Sequence, residues 1–131
     1  MKVKLTLVLL QFNKHVNYLS ENYLKVYFDD DYNLPSQLVS TKDEKETLKE
    51  LCLKHFEIDF GWLEKNIYDF RIVNNNGDIT AEAVYIIHVP EIVGAIKNGS
   101  LLSFSKINEK QIKLDPFYER AITGAGNPAF R

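Results

Sequence analysis

The segment LPSQLVSTKDEKETLKELCLKHFEI, residues 34–58, is where the sequence comes nearest to a reactive arrangement. A Pro-containing loop opens into an amphipathic helix, a setting in which clustered carboxylates would hold a divalent cation. Here the helix offers Leu51, Lys54 and His55. An ammonium at such a place repels a cation. The other histidines, His15 and His88, fall in a predicted loop and near a strand end, and no histidine pair at helical spacing exists to make a metal site. Asp29, Asp30 and Asp31 lack the alternating ligands and glycine of a calcium loop and read as a solvated turn. The lone Cys52 lies on the apolar side of the helix, which excludes a disulfide framework and marks a small core residue. Arg71 and Glu82 lie on two neighbouring predicted strands. Arg71 either grips a phosphate or carboxylate in bidentate fashion, or pairs with Glu82 across two strands. No metal ligand and no cofactor is assigned.

The elements that must position these groups follow from pattern. In MKVKLTLVLLQF, Val3, Leu5, Leu7 and Leu9 share one face, and Val8 and Leu10 make the other face apolar, as in a central strand. YLKVYFDD alternates again and pairs with it as a hairpin. Thr41 with Glu44 three residues on has the capping-box spacing, and Leu48, Leu51, Cys52 and Phe56 form a helical stripe. NIYDFRIV and ITAEAVYIIHV flank NNNGD, whose residues tolerate positive φ, so a second hairpin is expected. EIVGAIKNG reads as a short helix closed by Gly99, LLSFSK as a strand and INEKQI as a turn of helix. In DPFYERAI, Asp115 caps a helix that has Pro116 at its first position. Strands and helices alternate without regular repetition, which predicts an α+β protein, an α/β/α sandwich around a mixed sheet.

Composition sets outer bounds. A chain of 131 residues makes one domain. Sixteen basic against eighteen acidic residues give a net charge of -2, which leaves no footprint for a nucleic-acid backbone. Lys106, Lys110 and Lys113 lie close together and read as a solvated face. No apolar run approaches the length of a membrane span. The basic and apolar start imitates a signal peptide but has no small-residue cleavage site, so a cytoplasmic protein, or one in a particle assembled there, is expected.

In element order and motifs the sequence, from about Met1 to Ile122, resembles the Nudix hydrolase fold, in particular the ADP-ribose pyrophosphatase-like branch. The family's Leu-Pro-Gly-Gly loop corresponds to Leu34-Pro35-Ser36-Gln37, its catalytic helix to 45–58, its aromatic strand to IYDFRIV and its late helix to LDPFYERAI. The family's helix carries glutamates that hold magnesium against a diphosphate. In this sequence the Arg-Glu position is Glu50-Leu51 and the paired glutamates are Lys54-His55. The resemblance therefore implies a single domain over 1–123 with a degenerate, non-catalytic box; separately, the tail over 124–131 ends in Phe130 and Arg131 and is expected to dock. Three functions follow in order of preference. The first is a non-enzyme that assembles with other subunits or with itself, in a complex such as a viral particle, through Phe117, Tyr118, Phe130 and Arg131, aromatic and arginine types enriched at interface hot spots. The second is a non-hydrolysing binder of an ADP-ribose-like or other nucleotide, with Arg71 and Glu82 the candidate ligand-binding residues, on strands that flank the pocket the resemblance implies. The third is a hydrolase with displaced carboxylates among Asp43, Glu44, Glu46 and Glu50. No nucleic-acid or membrane partner is expected.

Overall fold

A computed structural model of the chain describes residues 2–13, 15–17, 19–20, 23–39, 43–55, 64–89 and 96–126, with backbone alone at 64–69, 88–89 and 124–126. Strand β1 (Lys2–Phe12) is followed by β2 (Leu24–Phe28), β3 (Ser36–Leu38), α1 (Glu44–His55), β4 (Glu64–Asn75), β5 (Asp78–Val89), β6 (Ser100–Leu102), α2 (Phe104–Glu109) and α3 (Pro116–Gly126). The six strands form one mixed sheet in the order β4-β5-β1-β2-β6, with β3 also on β1. The expected α+β class and mixed sheet are what the chain adopts.

Both faces of β1 are apolar, and both are covered. Leu5, Leu7 and Leu9 join Tyr27, Tyr85 and Ile87 beneath Leu48, Leu51 and Cys52 of α1. On the opposite face Val8, Leu10, Val26, Phe28, Val84 and Ile86 pack against Ile107 of α2 and Phe117, Ala121 and Ile122 of α3. Each fully buried Leu or Ile contributes about 1.5–3 kcal/mol, so this double burial anchors the fold on β1. The layering is helix, sheet, helix.

One edge of β1 runs parallel to β5 from Lys2↔Thr80 to Gln11↔Val89. The other edge is divided. Lys4, Leu5 and Thr6 pair with β3, whereas Leu10, Gln11 and Phe12 pair with β2. Between the two, the sheet splits, and the 29–35 connection crosses the gap with Leu7 N–H donating to the Pro35 carbonyl at 2.8 Å. β3 was expected to be loop; three residues are too few to show alternation.

Local signals account for most ends. The β4–β5 turn holds Asn76 and Gly77 at φ 54° and 88°, the left-handed pair that a two-residue hairpin loop requires. Asp115 caps α3, its carboxylate accepting from Phe117 N–H at 2.9 Å, as expected. At α1 the cap differs: Asp43 accepts the Glu46 N–H at 2.7 Å and the helix starts at Glu44, while Thr41 lies outside the described residues. α2 begins earlier than expected, on Ser103, which accepts from Lys106 N–H. Of the helix expected over 91–99, residues 96–99 form a bridge and a bend instead, and the remainder lies outside the described residues. α3 continues to Gly126, into the segment read as tail.

Candidate functional site

The split in the sheet opens a cavity of about 430 Å³. Its walls come from four places: Lys4 and Thr6 on β1, the 29–36 connection, the last turn of α1 and the 113–118 segment. Leu51, Lys54 and His55 of α1 all line it.

The cavity's charges sort into engaged and available groups. Asp29 is spent on its own loop, its carboxylate accepting the N–H groups of Asp31 and Asn33, each at 2.9 Å. Asp115 is held by Arg71, at 2.9 Å from Nη2 to Oδ2 and 3.3 Å from Nη1 to Oδ1. Lys4 Nζ lies 3.8 Å from Glu82, a long ion pair. Among the described residues, the ammonium groups of Lys54 and Lys113 have no hydrogen-bond or ion-pair partner. The uncompensated charge of the cavity is positive.

Arg71 and Glu82 stand directly opposite each other on β4 and β5, joined by a 2.7 Å bond from Nε to Oε2. Neither lines the cavity. Arg71 also stacks over the Phe117 ring at 4.5 Å, and Glu82, only 8% exposed, accepts from Tyr118 at 3.4 Å. The pair forms a strut between the hairpin and α3, behind the cavity wall. The Arg71 guanidinium, followed by the Phe117 N–H, holds the Asp115 carboxyl below its ordinary value of 3.8. A carboxylate depressed in the folded state stabilises above its unfolded pKa, and that stability is lost as pH falls through the folded value. Urea unfolding between about pH 2 and 6 is therefore expected to show a flatter acid limb for Asp115→Asn than for the parent protein. Superimposable limbs would remove Asp115 from the acid response.

Of the interface candidates, Phe117 is 6% exposed and belongs to the core, because α3 turns it onto Arg71 and the sheet. Tyr118 is half-buried and faces the cavity, its hydroxyl 3.5 Å from Thr6 Oγ1. Phe130 and Arg131 lie outside the described residues. The lysine trio does not act as one patch: Lys106 pairs with Glu109 at 3.1 Å, Lys110 sits over the Tyr32 ring at 5.2 Å, and Lys113 turns to the cavity.

At the end of α1, His55 is 7% exposed. Its Nδ1 lies 2.8 Å from Asn98 Oδ1 and 3.0 Å from the Tyr27 hydroxyl. Tyr27 donates to Asn98, at 2.7 Å to the main-chain oxygen and 2.9 Å to Oδ1. Burial, and then Asp29 and Asp30, push the Tyr27 hydroxyl up to about 12, so it keeps its proton. Residues 97–98 also finish the helix. Lys97 N–H donates to the His55 carbonyl, Lys97 Nζ to Leu53 and Asn98 Nδ2 to Lys54, satisfying carbonyls that a helix end leaves open. Sequence reasoning missed Lys4, Lys113, Tyr27 and Asn98. In sequence Lys113 reads with Lys106 and Lys110 as a solvated face, and nothing in the pattern of β1 sets Lys4 apart from Lys2 on the same face.

The residues present do not fit a magnesium-type cation. Among the described residues no three of His, Cys, Asp and Glu converge. Asp43 is a helix cap, Glu44 accepts a hydrogen bond from the Tyr85 hydroxyl, and Glu46 and Glu50 are exposed and do not line the cavity. No described helix is long and apolar enough to cross a membrane.

No family model and no curated protein matches the sequence. Solved structures do match. The Nudix domain of Shewanella oneidensis NrtR, in complex with ADP-ribose, superposes with a TM-score of 0.62 at 13% identity, over 94% of this chain and 84% of that one. A C. elegans Ap4A hydrolase gives 0.57 at 10% identity, over 82% and 84%. Its binary complex gives 0.54 at 9%, over 83% and 85%. This likeness corrects the expectation of a non-enzyme: two of these structures are hydrolases, so the fold is one that carries hydrolysis, and a missing carboxylate pattern is no ground for denying activity. With the split sheet between helices and these likenesses, the chain has a Nudix-like fold.

Proposed function

We propose that the cavity binds a diphosphate-linked nucleoside of the ADP-ribose type. One observation carries this reading: Lys4, Lys54 and Lys113 reach one cavity from three elements, while its two aspartates are already engaged. Diphosphate oxygens are the natural partners for convergent ammonium groups, and charge-assisted bonds of this kind contribute about 1.5–3 kcal/mol each. The hydroxyls of Thr6 and Tyr118 and the apolar surfaces of Leu34, Leu51 and Leu114 leave room for sugar and base beside the phosphates. The ADP-ribose complex of a structural neighbour lends support to the ligand class.

Calorimetric titration with ADP-ribose, in chelator and at low salt, tests it. Lys54→Ala and Lys113→Ala are each expected to weaken binding by about 10-fold or more, and the parent's affinity is expected to fall as salt rises. Lys106→Ala, paired on the surface, serves as the control. Equal affinity in all three variants would sink the proposal.

A further inference from the structure

Lys54 and His55, an ammonium and an imidazole side by side, end α1 at the cavity, and the imidazole is held in one orientation. Asn98 Nδ2 donates to the Lys54 carbonyl at 3.3 Å, which turns Oδ1 of the same amide toward the histidine. An amide oxygen only accepts, so the 2.8 Å contact between His55 Nδ1 and Asn98 Oδ1 requires the proton on Nδ1. The single Tyr27 proton goes to Asn98, nearest to its main-chain oxygen. With Nδ1 committed, Nε2 is the ring nitrogen left to take a proton, and His55 is among the residues that line the cavity. A base oriented from behind by a fixed hydrogen bond is the arrangement that general-base catalysis needs.

We propose that His55 is the general base for water attack on a phosphorus of the ligand held in this cavity, with Lys54 and Lys113 neutralising the phosphate charge. This rests on the binding reading above. In the step, the water oxygen forms a bond to phosphorus as the bridging P–O bond breaks. The water proton passes to Nε2, and the leaving phosphate departs as an anion beside the lysines. His55 then releases its proton to solvent, so that one diphosphate and one water give two phosphate monoesters and a proton. Asn98 and Tyr27 are positioning residues. The charged and titratable groups around the ring are Tyr27 on β2, Lys54 on its own helix, Lys97 beside Asn98, Asp29 and Asp30 on the connection, and Lys113 across the cavity.

Two measurements test the assignment. Long-range proton–nitrogen correlation spectra of the parent protein near pH 8 report the tautomer directly. The proton on Nδ1 is expected, and a proton on Nε2 would overturn the proposal without any variant. Turnover of ADP-ribose and diadenosine tetraphosphate is then followed in chelator. Hydrolysis is expected, with an acid limb, and His55→Gln should reduce its rate by about 100-fold or more while ADP-ribose affinity holds within about threefold. Asn98→Asp, which sets a carboxylate against Nδ1–H, should move that acid limb to higher pH, a response that a merely structural role would not give. ADP-ribose binding without hydrolysis of either compound, or hydrolysis that persists in His55→Gln, overturns the general base and leaves the binding reading standing. No binding of ADP-ribose removes both.

Discussion

Gly99→Ala is expected to destabilise the protein by about 3 kcal/mol or more, a fall in Tm of roughly 10 °C for a domain of this size. Two costs combine. Gly99 has φ 79°, a conformation that costs a residue with a Cβ about 1–2 kcal/mol. A Cβ there would also overlap the Phe28 carbonyl and the Tyr27 hydroxyl, and would stand 2.7 Å from Tyr27 Cζ. Neither neighbour can retreat. Phe28 lies in the β2–β6 ladder opposite Ser100, and Tyr27 is fully buried, with its hydroxyl bound to Asn98. Moving Tyr27 opens the histidine's hydrogen-bond set as well. Gly77→Ala supplies the comparison, because Gly77 has φ 88° but nothing within 4 Å of the added atom; about 1–2 kcal/mol is expected there. Urea unfolding of both variants decides the matter. Equal losses would mean that the overlap at Gly99 is relieved at no cost.

What was legible in the sequence is what local chemistry dictates. The alternation of β1, the Leu48, Leu51 and Cys52 stripe of α1, the Asn76–Gly77 turn and the Asp115 cap all depend on neighbours within a few residues. The rest depends on distant partners. β3 is a strand because Lys4, Leu5 and Thr6 offer an open edge. Residues 96–99 are not helical because their donors go to α1 carbonyls and to Asp30, which accepts the Gly99 N–H at 3.0 Å. The acidic run read as a solvated turn is structural for the same reason. With Asp43 as cap, Glu44 meets Tyr85 of β5, a contact no spacing rule contains.

The candidate site was half legible. Lys54 and His55 are legible as a cation and an imidazole where a metal-binding helix would offer carboxylates, and both line the cavity. Lys4 and Lys113 join them only because β1 and the 113–118 segment meet at the split in the sheet. Arg71 and Glu82 have the chemistry of a ligand site, but Arg71 faces Glu82 and Asp115, and neither Arg71 nor Glu82 lines the cavity. A charged pair on facing strands is indistinguishable in sequence from one turned toward a ligand.

That placement makes Arg71 a stability residue with a measurable asymmetry. Arg71→Met leaves the buried Glu82 carboxylate, among the described residues, with only the long contact to Lys4 and the Tyr118 hydroxyl. Removing one partner of a buried ion pair costs about 3–5 kcal/mol, and these remaining contacts should bring the loss nearer 2–3 kcal/mol. Glu82 would then draw Lys4 toward itself and away from the cavity, so ADP-ribose binding should weaken although Arg71 never touches the ligand. The double variant Arg71→Met/Glu82→Met removes the orphaned charge together with its partner. It should recover most of the lost stability, because replacing both members of such a pair with apolar side chains is close to neutral. Lys4 is then free again, and binding should return. If Arg71→Met abolished binding and the double variant did not restore it, the loss would lie in the release of Asp115, a cavity-lining carboxylate that Arg71 holds, and not in the position of Lys4.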